Sequence, residues 1–186
     1  MKTPSIFDYS VISEMAGLDA LKQDVESWYG QEYETGQSVL PQALLLYGPP
    51  GTGKTSAAHC IARQFLGDNF NSMNFIESNA SDDRGIEVIR TQINQFVCTK
   101  SLFSDGVKFI ILDEVDYMTK NAQQALKYLL QTTTTNVRFC LICNYISKVD
   151  SSLQQEFVLM RFSQLPEQNI LEYLMMITDK EDTESS

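Results

Sequence analysis

The sequence predicts an α/β fold: a mostly parallel sheet flanked on both faces by helices. Short, continuous apolar runs alternate with stretches whose apolar residues recur at intervals of three and four, the pattern of buried strands joined by amphipathic helices. A glycine-rich octapeptide, 48–55, stands between the first such run and the first such stretch, where a phosphate-cradling turn belongs. With 186 residues, 43% hydrophobic and 20% charged, and only 9 Gly and 5 Pro, the chain has the make-up of one globular domain rather than a fibrous or disordered one.

The elements follow in order. Leu18, Leu21, Val25, Trp28 and Tyr29 share one helical face, and Gln31 to Gln37, with Gly36, reads as a polar linker. Ala43 to Tyr47 is a continuous apolar run, hence a buried strand, and Lys54 to Leu66 is a helix closed by Gly67. Met73 to Ser78 predicts a second strand. Asn79 to Asp83 supplies capping residues for a helix with Ile86, Ile89, Ile93 and Phe96 on its apolar side. Val107 to Leu112 is the third strand, followed by a helix with Ala122, Ala125, Leu126, Leu129 and Leu130 at helical spacing. Val137 to Cys143 is the fourth strand, Val158 to Phe162 the fifth, and Glu167 to Ile177 a helix opening just after Pro166.

Charge and cysteine content exclude several classes. With 24 acidic against 14 basic residues the net charge is −10, which disfavours a free-standing DNA binder, because phosphate affinity comes from Lys and Arg. No run approaches the roughly 18 apolar residues of a membrane span, and Met1 to Pro4 lacks a secretion signal's apolar core, so a soluble intracellular protein without a membrane partner is expected. The 4 cysteines are then reduced thiols. Cys140 and Cys143 lie on one strand and face opposite sides of the sheet, so a shared metal is not expected. His59, on the helix after the glycine-rich loop, reads as a packing residue rather than a catalyst.

The octapeptide carries the chemistry. Gly48-Pro49-Pro50-Gly51-Thr52-Gly53-Lys54-Thr55 fits the phosphate-loop pattern Gly-x-x-x-x-Gly-Lys-Ser/Thr, with Ser56 next on the helix. Its glycines let backbone N–H groups turn toward phosphates, Lys54 reaches the outer phosphates, and the Thr55 hydroxyl is a magnesium ligand. Asp113 and Glu114 close the apolar strand ending at Leu112, where a phosphate-loop protein keeps its metal-holding acid. Asp113 is the metal ligand, and Glu114 is the general base toward the attacking water. Asn144, at the end of the fourth strand, is positioned to orient that water.

Four segments together resemble the small subunits of replication factor C, the clamp loaders of eukaryotes and archaea within the AAA+ family. They are Tyr47 to Ser56, Ser78-Asn79-Ala80-Ser81-Asp82-Asp83-Arg84-Gly85-Ile86, Leu112-Asp113-Glu114-Val115-Asp116 and Leu141-Ile142-Cys143-Asn144-Tyr145. The resemblance implies an AAA+ P-loop NTPase core that binds ATP with Mg2+ as one subunit of a hetero-oligomeric ring. Partners would be other clamp-loader subunits, a sliding clamp and primer-template DNA. It implies that Arg84 and Arg90 contact DNA phosphates, with Lys127 where an arginine is expected. It also implies a nuclear location, with a viral replication compartment in the cytoplasm as the alternative.

Three departures qualify that expectation. Leu153-Gln154-Gln155-Glu156-Phe157 stands where the family carries Ser-Arg-Cys, so Glu156 replaces the arginine that reaches into a neighbour's site. The sequence stops at Ser186, before the helical lid and collar domain, which reads as a fragment or a reduced paralogue. The segment Ser5 to Ser10 lacks the family's basic adenine-pocket motif. The expected organisation is an N-terminal helix and linker (1–38), a nucleotide-binding core (39–165), the start of a lid helix (166–178) and an acidic disordered tail (179–186). An ATP-binding architectural subunit that does not hydrolyse ATP is the alternative function. A small-molecule kinase finds no acceptor pocket or kinase lid to support it.

Overall fold

The computed structural model describes residues 23, 40–81, 87–99, 107–133, 136–164, 171 and 174–180. Five strands form one sheet: β1 (Ala43–Tyr47), β2 (Phe75–Asn79), β3 (Lys108–Asp113), β4 (Val137–Cys143) and β5 (Val158–Arg161). Their order is β2-β3-β4-β1-β5, and every pairing is parallel. In register, Leu45 sits beside Leu141, and Ile110 beside Phe139. The helices are α1 (Lys54–Leu66), α2 (Asn94–Cys98), α3 (Lys120–Thr132) and α4 (Ser151–Gln154).

The two-residue period of the strands sorts the core into two layers. Leu45, Ile110, Leu112, Phe139 and Leu141 pack with Ile89, Ile93, Leu126 and Leu130. Leu44, Leu46, Phe109, Ile111, Cys140 and Ile142 pack with Ala57, Ala58, Ile61 and Ala62 of α1 on the opposite face. Each fully buried Leu or Ile side chain contributes about 1.5–3 kcal/mol of transfer free energy, so strands apolar on both faces are what such a sheet demands. The three alanines let α1 approach the sheet closely.

Two cations at strand starts are buried as well. Arg138 donates from Nε to Leu40 O (2.9 Å) and lies 5.3 Å from the Phe65 ring centroid. Lys108 donates to the carbonyls of Phe96 and Thr99, tying down the end of α2.

Several boundaries differ from the sequence expectation. The second strand begins at Phe75 rather than Met73, because Asn71 Oδ1 accepts from the Met73 amide (2.9 Å) and Asn71 O from the amides of Asn74 and Phe75, closing a turn. The third strand runs Lys108–Asp113, one residue later than expected, so Asp113 is still strand. Before α2 the helix is π-helical over Val88–Ile93, a widening that a three-and-four periodicity does not reveal. Residues 174–180 are helical, so Asp179 and Lys180 belong to a helix and not to a disordered tail. The expected N-terminal helix, the linker, the Ser5 to Ser10 segment and the rest of the acidic tail lie outside the described residues, apart from residue 23, which is helical.

Strand order sets the location of the site. From β1 the chain passes β4 and β3 to reach β2, then returns strand by strand to β4 and passes β1 to reach β5. Helix α1 leaves β1 on one face and α3 follows β3 on the other, so a crevice opens outside their carboxyl ends.

Candidate nucleotide-binding site

The glycine-rich loop hangs between its neighbouring strands. Gly48 N donates to Cys143 O of β4 (3.3 Å), and Phe162 N, just past β5, donates to Tyr47 O (2.7 Å). Three loop glycines have positive φ, Gly48 (147°), Gly51 (75°) and Gly53 (91°), the last preceding α1 directly. A Cβ on Gly48 would stand 2.0 Å from Phe162 O, so glycine is required there by close approach as well as by torsion. Thr52 Oγ1 donates to Pro49 O (2.8 Å), stiffening the turn from within.

Lys54 is buried, and its Nζ donates to Gly48 O and Pro49 O, both at 2.7 Å. Burial pulls its pKa below the ordinary lysine range, and the charges of Asp113 and Asp116 work against that pull. The ammonium thus curls back onto its own loop, held by neutral carbonyls, and an anion entering the loop would offer it a far stronger partner.

Across the crevice, Asp113 ends β3 and its Oδ1 accepts from the Glu114 amide (2.7 Å). Burial pushes the Asp113 carboxyl above the ordinary aspartate range; the nearby charges of Glu114 and Glu77 add to the rise, while the Glu114 amide and Lys54 oppose it. Glu114 has φ 56°, ψ 39°, the only positive-φ non-glycine among the described residues. That left-handed conformation costs a non-glycine residue about 1–2 kcal/mol. It turns the chain sharply, so that Asp113 and Glu114, adjacent in sequence, both line the same cleft. Such strain at a carboxylate is a feature of functional sites.

The cleft has a volume of about 330 Å³. It is lined on one side by Pro50, Gly51, Gly53, Lys54, Thr55 and Ser56, and on the other by Asp113, Glu114, Ile142 and Asn144. Gly48, Pro49 and Thr52 shape the loop without lining the cleft. Lys54, Thr55, Asp113, Glu114 and Asn144, expected from sequence to act together, are therefore brought to one place. A polyanion with a divalent cation fits this donor set: backbone N–H groups at a helix start and a lysine on one wall for the anion, the Asp113 carboxylate and the Thr55 hydroxyl for the metal.

Residues 44–165 match the protein family described as "ATPase family associated with various cellular activities (AAA)". The chain belongs to the AAA family. Within it, the chain is 49% identical over 127 residues to replication factor C subunit 3 of Saccharomyces cerevisiae, covering 68% of this chain and 37% of that one. To replication factor C subunit 5 of Homo sapiens it is 46% identical over 144 residues, covering 77% and 42%. An archaeal relative, the replication factor C small subunit of Staphylothermus marinus, is 43% identical over 141 residues, covering 76% and 43%. The chain thus spans less than half the length of each of these relatives. Among solved structures, a Thermotoga maritima RuvB variant superposes with TM-score 0.74 at 16% identity, covering 94% of this chain and 55% of that one, a likeness of fold. The expected resemblance to replication factor C small subunits is borne out.

Other expected site residues of this AAA chain lie elsewhere. Arg84 falls outside the described residues. Arg90 is exposed and lines a groove of about 540 Å³ between the helical stretch 88–98 and α3, together with Asn94, Asn121, Gln124 and Tyr128. Glu156 is exposed in the turn after α4, where its Oε1 accepts from Gln131 Nε2 (3.2 Å). The four cysteines are free thiols, and Cys140 and Cys143 fall in opposite core layers as expected. His59 Nε2 lies 3.0 Å from Glu77 Oε2, tying α1 to β2. Among the described residues no helix is long and apolar enough to cross a membrane.

Sequence reasoning assigned no part to Asp116, Ile142 or Cys143. Ile142 lines the cleft, and Asp116 is buried beneath the turn that carries Asn144. The available signal was Asp116 itself, a carboxylate within an otherwise apolar stretch three residues after Asp113.

Proposed function

We propose that this chain binds ATP with Mg2+ and hydrolyses it as one subunit of a clamp loader, coupling ATP binding and hydrolysis to loading of a sliding clamp on primer-template DNA. The observation that carries this is the convergence of Lys54, Thr55, Asp113, Glu114 and Asn144 on one cleft at the carboxyl ends of β1, β3 and β4. The 43–49% identity to replication factor C subunits supports the ring assembly, and the eukaryotic relatives among them support a nuclear site of action.

The loop amides and Lys54 would hold the phosphates, and Thr55 with Asp113 would hold magnesium. The metal's part is to neutralise phosphate charge. Glu114 takes the proton from the attacking water at its carboxylate, and the Asn144 amide orients that water. Arg90, exposed on its groove, and Arg84 are the DNA-phosphate contacts of this reading.

Glu156 favours a restriction on this role. An arginine finger supplied to a neighbouring site contributes roughly 10³–10⁵ in rate, and a carboxylate facing a γ-phosphate repels it instead. The chain therefore receives a finger and does not give one. A strictly architectural subunit, which binds ATP without turnover and, with Glu156, gives its neighbour no finger, is the second reading.

Titration with a non-hydrolysable ATP analogue and magnesium, beside a Lys54→Ala control, tests the site: saturable binding lost in the control is expected. Phosphate release on mixing with a finger-bearing replication factor C subunit then separates the two readings. Stimulation identifies the hydrolysing subunit; binding without any stimulation leaves the architectural one. Glu156→Arg should make this chain stimulate a neighbour's site, and no gain would overturn the role given to Glu156.

A further inference from the structure

The turn after β3 and the turn after β4 are joined by contacts that holding nucleotide does not require. Asp116 is 5% exposed, and its Oδ2 accepts from two successive amides of the other turn, Asn144 N (3.3 Å) and Tyr145 N (3.0 Å). Its Oδ1 is buried with no protein hydrogen-bond partner. On the outer side, the Lys148 ammonium lies 5.2 Å from the Tyr117 ring centroid and 5.0 Å from that of Tyr145. One cation thus bridges two aromatic faces, one from each turn, and both rings are more than half exposed.

These links matter because neither turn has a long element of its own to hold it. Glu114 leads into a single 3-10 turn, Val115–Tyr117, and Asn144 precedes another, Ile146–Lys148. Beyond the β3–β4 pairing and the Gln123 amide, which donates to Met118 O and Lys148 O, the separation of Glu114 from Asn144 depends on what ties one turn to the other. A carboxylate accepting from two amides is a charge-assisted link, stronger than a neutral one, and an aromatic pair around an ammonium adds a solvent-facing second link.

We propose that Asp116 inside, and Lys148 between Tyr117 and Tyr145 outside, form a clasp that fixes Asn144 relative to Glu114, with Asp116 as a positioning residue for hydrolysis. The proposal rests on the hydrolysing reading above and adds residues to it. Asp116 touches neither phosphate nor water in this role; it acts through the backbone of Asn144. Lys148 acts through the ring of Tyr145, the next residue along.

Asp116→Asn keeps the side-chain volume and removes the charge. In the full chain assembled with a finger-bearing partner, single-turnover hydrolysis should fall at least about tenfold, since displacements near 1 Å cost up to about 10² in rate. Analogue affinity should not fall by more than about twofold, because Asp116 takes part in none of the hydrogen bonds of the loop and Lys54, and loss of its negative charge does not oppose phosphate binding. On an Asn144→Ala background Asp116→Asn should have no further effect, the non-additivity expected of a residue acting through another. A wild-type rate in Asp116→Asn, or a loss that multiplies with that of Asn144→Ala, would overturn the proposal.

Lys148→Gln, at an exposed position, carries the same test if Asp116→Asn does not fold. A rate loss of roughly threefold at constant analogue affinity is expected, and no loss overturns it. Should wild type bind analogue and fail to turn over, the hydrolysing reading falls by itself. The clasp is then read from hydrogen exchange at the Asn144 and Tyr145 amides, expected faster in Asp116→Asn, with unchanged exchange refuting it.

Discussion

Gly48 and Gly51 look equivalent in the phosphate-loop pattern, yet alanine at each should have very different consequences. At Gly48 the new Cβ would meet Phe162 O at 2.0 Å, the Phe162 carbonyl carbon at 2.9 Å and Phe162 Cβ at 3.2 Å. Ordinary carbon-to-oxygen approach is about 3.3–3.6 Å, so the loop and the end of β5 must separate by more than about 1 Å. Phe162 cannot yield freely: it is 1% exposed, and its amide donates to Tyr47 O at 2.7 Å. Overpacking costs about 1–3 kcal/mol, loss of that hydrogen bond about 0.5–1.5 kcal/mol, and the positive φ about 1–3 kcal/mol. Gly48→Ala should therefore destabilise by roughly 2.5–7.5 kcal/mol, a large share of a typical 5–15 kcal/mol total. At Gly51, φ is +75° and no atom lies within 4 Å of the added Cβ, leaving only the torsional term of about 1–2 kcal/mol. At about 2–4 °C per kcal/mol, ligand-free melting followed by circular dichroism should fall by about 15 °C at mid-range for Gly48→Ala and by about 5 °C for Gly51→Ala. Equal shifts for the two variants would refute the close-approach argument.

The other predictions concern the charged groups of the cleft. Lys54→Met should abolish analogue binding while lowering the ligand-free melting temperature by no more than about 4 °C, because a buried cation held by neutral carbonyls carries its own desolvation cost. Since the Lys54 pKa is lowered in the fold, wild type should gain stability relative to Lys54→Met as pH rises through that lowered value toward 10.5; a flat difference would contradict the burial. Asp113 has a raised pKa, so its contribution favours the folded state below the unfolded value of 3.8 and is lost as pH rises through the folded one. Metal-free Asp113→Asn should accordingly melt above wild type at neutral pH, with the advantage vanishing in acid, and melting below wild type at neutral pH would contradict this.

Much of this was legible along the chain, for particular reasons. The octapeptide 48–55 works through local backbone and two adjacent side chains, so its sequence pattern is nearly its structure. Val137–Cys143 was readable to the residue because a strand buried on both faces is apolar nearly throughout: all seven residues are buried and Arg138 alone is polar. The start of β2 was misread because Asn71 captures the chain in a side-chain turn that overrides the strand tendency of Met73. The π-helical stretch at Val88–Ile93 keeps Ile89 and Ile93 buried while breaking the helical period, so periodicity marks the core residues and misses the geometry.

By itself the sequence determined the α/β class, the two-faced burial of the central strands β1, β3 and β4, the phosphate loop and the acids at the end of β3. These follow from residue spacing within a single element, where side-chain period and backbone torsion are local matters. Only the tertiary structure decided the order β2-β3-β4-β1-β5, the exclusion of any Cβ at Gly48 by Phe162, and the hold of Asp116 on amides 28 and 29 residues away. Each of those is a contact between strand ends, created when separate elements pack side by side, and no window along the chain contains both partners.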